Sequence, residues 1–193
     1  MGRVVYIDGE SFKPEDAKIS VFDRGFLYGD SVFETVRTYG GKLYALDKHL
    51  QRLEGSAARV GITLPAPREV MADEATRAVS EAGNVESYLR LMLTRGSGPV
   101  GLDPALARAP RRVLIVEPLT SPSPAKYRDG IAVSCIRTVR ASDAAHSAKV
   151  GNYLASALAL EKARAVGADE ALVINSDGLV VEGTTSNVFA VRG

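Results

Sequence analysis

The chain has 193 residues, which is enough for one large domain or two small ones. Its hydrophobic content of 46% and charged content of 24% are those of an ordinary globular protein. The net charge is +1, and lysines and arginines are scattered along the sequence, which argues against a nucleic-acid or anionic-membrane partner. No apolar run approaches the roughly 18 residues of a membrane span.

The cysteine and histidine content bears on the cellular compartment and on the presence of a metal site. Cys135 is the only cysteine, so an internal disulfide is excluded, as is usual in a reducing cytoplasm. A buried apolar role for this residue is favoured over a catalytic thiol. His49 and His146 are far apart in sequence, and the spacing of a metal site is absent. The N-terminus runs into a strand pattern without an apolar signal segment. We therefore predict a cytoplasmic protein without a metal site.

The first elements in chain order form a strand and a hairpin. Residues 4–7 predict a strand, and residues 32–39 alternate with period two. Gly40 and Gly41 then allow the positive φ angles of a tight turn, which leads into a strand over residues 42–46.

Two helices follow the hairpin. Asp47 is a good N-cap residue, and Gly61 is a typical helix end. Between them, apolar residues recur at helical spacing: Leu50, Leu53, Ala57 and Val60. A second helix is predicted over residues 68–82.

Two strands and a linker complete the first half. Strands are predicted over residues 87–94 and 112–116, with Arg90 among apolar neighbours. An arginine there is costly without an anionic partner, so a functional or paired role is favoured. Residues 120–125 combine prolines with hydroxyl residues and predict a linker. The predicted domains are therefore 1–119 and 126–193.

The second half mixes strands with one helix. Its predicted helix covers residues 152–166. Its predicted strands cover residues 131–138, 170–174, 179–182 and 187–191. The fold class that follows is mixed α/β in two units.

A lysine and a glutamate in this half have chemically suggestive neighbours. Lys149 precedes Asn152 and Tyr153 at the start of the helix, and Glu182 precedes a run of small hydroxyl residues. A nucleophilic amine and an acid that pairs with a pyridinium nitrogen are the main requirements of a pyridoxal phosphate site. Taken singly, such residues are more often a surface lysine, a core tyrosine and turn hydroxyls.

Four segments together carry a family resemblance. They are residues 22–35, the H-x-x-R-L element at residues 49–53, the Lys149 segment, and the stretch 181–189 around Glu182. In combination they resemble the class IV aminotransferases, the family of the D-amino-acid and branched-chain enzymes. The resemblance implies a two-domain α/β fold with pyridoxal 5'-phosphate at the domain interface.

The resemblance also implies roles for the cofactor-binding residues. Lys149 would hold the cofactor as a Schiff base and shuttle a proton during catalysis. Glu182 would pair with the pyridine nitrogen, Tyr153 would bond the ring oxygen, and Arg52 would contact the phosphate. Two further donors near the cofactor would be Thr185 and Ser186.

The residues of the substrate side leave alternatives open. Tyr88 and Arg90 resemble the Y-x-R carboxylate site of branched-chain enzymes, although Leu91 stands where those enzymes usually have proline. Residues 99–102 lack the R-x-H trap of D-amino-acid enzymes, and Thr35 matches the aminodeoxychorismate lyases. The predicted substrate contacts are Phe33, Thr35, Tyr88 and Arg90. The leading prediction is transfer between a branched-chain L-amino acid and 2-oxoglutarate; a lyase that releases pyruvate and an inactive homologue or fragment are the alternatives.

The resemblance further implies an assembly and a longer chain. Family members pair through the first domain, so we expect a homodimer in which residues 22–33 complete the pocket of the partner. They also usually continue well beyond the strand that follows Glu182. The sequence therefore predicts an incomplete C-terminal domain.

Overall fold

The computed structural model describes residues 2–137 and 149–193. Their contacts divide them into two units. The first contains residues 2–120 and 149–151, and the second contains residues 121–137 and 152–193. His146 and the predicted strand end at Thr138 lie outside the described residues. The domain limits given above remain a proposal.

The first unit contains a six-stranded antiparallel sheet in the order β2-β1-β6-β5-β3-β4. Its strands are β1 (Val4–Ile7), β2 (Glu10–Phe12), β3 (Ser31–Tyr39), β4 (Lys42–Leu43), β5 (Ser87–Thr94) and β6 (Arg111–Pro118). Gly40 and Gly41 have φ angles of 57° and 73°, as the predicted turn requires. The strand predicted over 42–46 is shorter, because the next helix begins at Leu46.

The helices of this unit are α1 (Arg24–Tyr28), α2 (Leu46–Arg59) and α3 (Arg68–Ala82), with a 3-10 turn at Pro104–Leu106. The prediction that Asp47 caps α2 is wrong. Ala45 occupies the N-cap position in a left-handed conformation and provides no side-chain cap. Asp47 lies in the first turn of α2, where a negative charge interacts favourably with the helix dipole.

The core of the unit lies between one face of the sheet and helices α2 and α3. Leu50 and Leu53 of α2 and Leu89, Leu91 and Leu93 of β5 are all buried there. The alternate residues of β5 face the other side and are half-buried. The sheet thus has one fully packed face and one more accessible face, as antiparallel sheets commonly do.

The second unit is a three-stranded sheet in the order β7-β8-β9. Its elements are α4 (Pro124–Asp129), β7 (Val133–Arg137), α5 (Leu154–Ala165), β8 (Glu170–Ile174) and β9 (Val180–Gly183). Strands β7 and β8 are parallel, and β8 and β9 are antiparallel. Alanines form the small core of this unit: Ala159, Ala163, Ala168 and Ala171.

The final predicted strand, residues 187–191, is wrong. The structure assigns no strand there, and Phe189 and Val191 are exposed. A strand exists only where a neighbour accepts its backbone hydrogen bonds, and residues 187–191 pair with no strand of the described chain.

Candidate active site

The segment 149–151 is attached to the edge of β3. The backbone N–H of Phe33 donates to the carbonyl of Lys149 at 2.9 Å, and the N–H of Gly151 donates to the carbonyl of Ser31 at 2.9 Å. Strand β4 pairs only with the last two residues of β3, which leaves the first half of that edge available. These bonds explain why 149–151, predicted as part of the C-terminal domain, cluster with the first unit.

Gly151 suits this close approach. A Cβ atom at position 151 would collide with Oγ of Ser31 on β3. The glycine therefore lets the backbone reach the strand edge. In this way the sequence Lys149-Val150-Gly151 holds the lysine at a defined position beside β3.

Four predicted substrate residues share the accessible face of the sheet. Phe33 and Thr35 lie on β3, and Tyr88 and Arg90 lie on β5, with Thr35 directly opposite Arg90. Period-two alternation places all four on the same side. Oγ1 of Thr35 and the hydroxyl of Tyr88 are 3.5 Å apart, at the long limit of a hydrogen bond.

The ring of Phe33 brings two cations together. Cζ of Arg90 is 3.7 Å from the ring centroid, and Nζ of Lys149 is 4.5 Å from it. Both distances are within the range of cation–π attraction, which helps to offset the repulsion of the two charges. The partner that the structure shows for Arg90 is therefore an aromatic ring. The predicted Schiff-base lysine and the predicted carboxylate-binding arginine are thus neighbours.

Arg52 lies on the other side of β3, on α2. Its Nε and Nη2 atoms donate to the two oxygens of Glu34, each at 2.5 Å. Nδ1 of His49 lies 2.8 Å from Oε2 of the same carboxylate. The hydrogen bond with Glu34 raises the pKa of Arg52, and burial opposes this rise. Sequence analysis missed Glu34; the available signal was an acid on the inward side of an alternating strand.

Arg52 also lines a cleft on the surface of α2. The cleft has a volume of about 320 Å³ and is lined by Lys48, Gln51, Arg52, Gly55, Ser56 and Arg59. Three of these six residues are cationic, so the cleft favours an anion. Ser56 connects it to the lysine segment, because its Oγ lies 3.5 Å from the backbone nitrogen of Lys149.

The other predicted cofactor residues belong to the second unit. Tyr153 precedes α5 and is exposed. Glu182 lies in β9 opposite Val173 of β8 and is half-buried. The structure thus places Glu182 on a strand, directly before the hydroxyl residues that the sequence pattern singled out.

Glu170, which sequence analysis missed, organises those hydroxyl residues. Its buried carboxylate accepts hydrogen bonds from both the backbone and the side chain of Thr184 and of Thr185, and from Oγ of Ser186. Burial raises the pKa of Glu170, but the hydrogen bonds from Thr184 and Thr185 outweigh it and lower the pKa to about 2. The hydroxyls of Thr185 and Ser186, predicted as donors near the cofactor, donate to this carboxylate.

Each unit, taken by itself, supplies groups whose chemistry suits pyridoxal phosphate. Lys149 supplies an amine at a half-buried position against Phe33. Arg52 supplies a guanidinium that borders a cationic cleft. Glu182 supplies a carboxylate fixed by strand pairing. These are the groups required for the aldehyde, the phosphate and the ring nitrogen of the cofactor.

Comparison with known proteins establishes the family. Residues 31–193 match the family described as amino-transferase class IV. The chain therefore belongs to the class IV aminotransferases, whose members depend on pyridoxal phosphate. This confirms the predicted family and agrees with the predicted cofactor.

Two relatives illustrate the range of named activities. The chain is 38% identical over 190 residues to a putative branched-chain-amino-acid aminotransferase of Methanocaldococcus jannaschii and covers 97% of itself and 65% of that protein. It is 30% identical over 190 residues to a D-alanine aminotransferase of Bacillus licheniformis, again with 97% and 65% coverage. The chain thus spans about two thirds of the length of these relatives.

A solved structure confirms the predicted fold class. A branched-chain amino acid aminotransferase complexed with N-(5'-phosphopyridoxyl)-L-glutamate has a TM-score of 0.82 at 27% identity. The similarity covers 95% of this chain and 62% of that one. The mixed α/β architecture is therefore that of a class IV aminotransferase.

Among residues 2–137 and 149–193, no helix is both long and apolar enough to cross a membrane. In the same part of the chain, no group of three or more His, Cys, Asp or Glu residues could hold a metal ion.

Proposed function

We propose that this chain functions as a pyridoxal-phosphate-dependent aminotransferase that moves an amino group between a branched-chain L-amino acid and 2-oxoglutarate. The observation that carries the proposal is the placement of Lys149 and Arg90 against the single ring of Phe33. An amine that can attack an aldehyde then lies beside a guanidinium that can bind an α-carboxylate. The relative from Methanocaldococcus jannaschii supports a branched-chain amino donor. The glutamate conjugate in the solved branched-chain enzyme supports 2-oxoglutarate, the oxo acid of glutamate.

Each residue of the proposed site has a defined role. The bound cofactor supplies an electron sink that acidifies the Cα–H bond of the substrate. Lys149 holds the cofactor and, once the substrate displaces it, moves the proton at Cα. Glu182 keeps a proton on the ring nitrogen, and Tyr153 donates to the ring oxygen. Arg52 binds the phosphate.

On the substrate side, Arg90 and Tyr88 bind the carboxylate of the amino acid. Arg90 offers paired donors to the carboxylate, which suits bidentate recognition. Thr185 and Ser186 act close to the cofactor through the arrangement that Glu170 imposes on them.

The location of the cofactor is tested by chemical trapping. The chain is incubated with pyridoxal phosphate, reduced with borohydride and mapped by peptide mass spectrometry. We expect the pyridoxyl group on Lys149. The same test is made on a chimaera in which the remaining C-terminal part of the Methanocaldococcus jannaschii relative follows Gly193. A label on a different lysine, or no label in either protein, contradicts the proposal.

Substrate class is tested by single-turnover half-reactions with L-leucine, D-alanine and aminodeoxychorismate. We expect the fastest conversion of the bound cofactor with L-leucine. Faster conversion with D-alanine would reject the branched-chain assignment.

Aminodeoxychorismate lyase activity is the second candidate, and Thr35 favours it. Its Oγ1 lies on the site face beside the hydroxyl of Tyr88. Transamination needs no hydroxyl at position 35, so Thr35→Gly would leave it largely intact, whereas a lyase would lose elimination. Because glycine by itself weakens a strand, Thr35→Val is the matched control, since it removes the hydroxyl and keeps a β-branched side chain. The lyase would be favoured if the unmodified chain releases pyruvate from aminodeoxychorismate and both substitutions abolish this release.

We further propose a homodimer formed through the first unit. The segment 19–28, which includes α1, and the loop 98–102 are joined by hydrogen bonds from Arg24 to the carbonyls of Gly101 and Leu102. Their exposed apolar side chains are Ile19, Val21, Phe22, Phe26, Leu27, Val100 and Leu102. Exposed apolar side chains on two segments that are joined by hydrogen bonds are typical of a protein interface. The partner that we propose for this surface is a second copy of the chain. A cytoplasmic location remains a prediction.

A further inference from the structure

Glu34 is a buried carboxylate placed behind the substrate face. Its side chain is only 1% exposed, and its neighbours on β3, Phe33 and Thr35, face the opposite side of the sheet. Arg52 and His49 of α2 together satisfy both of its oxygens. A carboxylate at such a position is tolerated only because it is paired. A single strand thus carries the substrate contacts on one side and this acid on the other.

The pairing occupies one edge of the Arg52 guanidinium. Nε and Nη2 face Glu34, and Nη2 also lies 3.4 Å from Nδ1 of His49, so Nη1 is the nitrogen that lies along the other edge. Among residues 2–137 and 149–193 the structure describes no acceptor for Nη1. The side chain of Arg52 is 59% exposed and lines the cationic cleft of α2. The Nη1 donors are therefore available to an anion in that cleft.

We propose that Glu34 is a positioning residue that orients Arg52 to bind the phosphate of the cofactor; this inference rests on the proposed function. A guanidinium already held by a bidentate ion pair loses little side-chain freedom when it binds a second anion. Glu34 also offsets part of the charge of Arg52. Lys48 and Arg59, which line the same cleft, keep its net charge positive.

The test compares two ligands that differ only in the phosphate. Dissociation constants for pyridoxal 5'-phosphate and for pyridoxal are measured by absorbance titration of the wild-type chain, the chimaera and their Glu34→Gln variants. If Glu34 orients Arg52, Glu34→Gln weakens pyridoxal phosphate by about ten-fold, the lower end expected for one charge-assisted contact. Its effect on pyridoxal is less than about two-fold, because pyridoxal does not use the phosphate contact.

A second buried ion pair provides the matched control. Glu74 on α3 is 2% exposed and accepts Nε and Nη2 of Arg112 on β6 at 2.8 and 2.6 Å. Glu74→Gln breaks a pair of the same geometry, so it reports the cost of a broken buried pair alone. We expect it to leave the ratio of the two dissociation constants unchanged.

A double substitution tests whether Glu34 acts through Arg52. In an Arg52→Gln background, Glu34→Gln is expected to produce no further change in the ratio of the two constants. Glu34→Asp retains the charge but shortens the side chain by one methylene, so a ratio between those of wild type and Glu34→Gln is expected. If Glu34→Gln fails to fold, this smaller change of the ratio in Glu34→Asp is the effect to be measured, and an unchanged ratio contradicts the proposal.

The outcomes separate this inference from the proposed function. Suppose that Lys149 is labelled in the wild-type protein. If Glu34→Gln then lowers the affinity for both ligands equally, or changes neither affinity, Glu34 does not orient the phosphate contact. If Glu74→Gln changes the ratio of the two dissociation constants as much as Glu34→Gln does, Glu34 likewise does not orient the phosphate contact. If Lys149 is not labelled in the wild-type protein, the proposed function fails first and this inference fails with it.

Discussion

Lys149 has two tasks in the proposed site, and a single substitution removes both. Lys149→Ala eliminates the amine that holds the cofactor and the base that moves the proton, so turnover should fall by several orders of magnitude. The absorbance of the covalently held cofactor should disappear with it. Lys162→Ala on the exposed side of α5 is the control and should change neither quantity. Retention of the absorbance band in Lys149→Ala would show that another lysine holds the cofactor.

Glu182 and Arg52 are expected to affect different observables. Glu182→Gln retains the shape of the side chain but weakens the electron sink, so the chemical step should slow while the cofactor stays bound. Arg52→Ala removes a charge-assisted phosphate contact worth about 1.5–3 kcal/mol, so cofactor affinity should fall about ten- to hundred-fold. Cofactor titration and single-turnover kinetics distinguish the two effects. The assigned roles are wrong if Glu182→Gln mainly releases cofactor and leaves the rate per occupied site unchanged.

At the scale of elements, the attachment of residues 149–151 to β3 depends on one glycine. Gly151→Ala places a methyl group against Oγ of Ser31, a buried residue, and we expect the segment to shift from the strand edge and carry Lys149 with it. We expect a lower melting temperature and slower covalent capture of pyridoxal phosphate. Gly55→Ala on α2 meets no atom within 4 Å and serves as the control for stability. It should stabilise the helix by up to about 1 kcal/mol. Unchanged capture by Gly151→Ala would contradict this expectation.

The loop after β9 should respond to acid through Glu170. Its pKa is lowered to about 2 in the folded chain from the ordinary value of 4.5. A depressed carboxyl pKa stabilises the fold above the unfolded value of 4.5, and this stabilisation is lost as the pH falls from 4.5 through about 2. Wild type should therefore exceed Glu170→Gln in unfolding free energy by a constant amount near neutral pH. The difference should shrink below pH 4.5. Urea unfolding across this range measures it; a difference independent of pH would contradict the assignment.

Several element boundaries were predictable because they depend on local information. Strand β5 (Ser87–Thr94) and helix α3 (Arg68–Ala82) have the predicted limits, since hydrophobic period and flanking breakers are both readable over a few residues. The short helices α1 and α4 were missed. Helix α1 is stabilised by contacts outside itself, such as the hydrogen bond from Thr94 to Asp23, its N-cap residue. Its five residues are too few to give a periodic signal.

At the scale of the whole molecule, the exposed apolar side chains of the second unit predict low solubility. Many apolar side chains of the second unit are exposed, and its core is formed by a few alanines. The exposed residues include Leu154, Leu158, Val166, Leu179, Phe189 and Val191. A unit that buries so little apolar surface is weakly stable and prone to associate. We expect the 193-residue chain to aggregate and to bind cofactor weakly.

This prediction is tested by comparing the 193-residue chain with the chimaera that carries the C-terminal part of the Methanocaldococcus jannaschii relative. In size-exclusion chromatography we expect the chimaera to elute as a coloured dimer, since an added part that packs on the exposed apolar surface of the second unit would raise solubility. A 193-residue chain that elutes as a soluble species fully loaded with cofactor would contradict the prediction. Elution of the chimaera as a monomer would reject the proposed interface between copies.

The amino-acid sequence by itself determined the family, the main strands and helices, and the identity of the candidate amine and acid. These depend on short motifs, such as H-x-x-R-L and the residues after Glu182, and on local periodicity. Only the tertiary structure decided which groups meet. Glu34 pairs with Arg52, Glu170 with Thr184 and Thr185, and Lys149 lies against Phe33. Such partners are distant in sequence, and strand pairing and helix packing alone bring them together. No local pattern encodes that long-range geometry, so their pairing could not be derived before the fold was known.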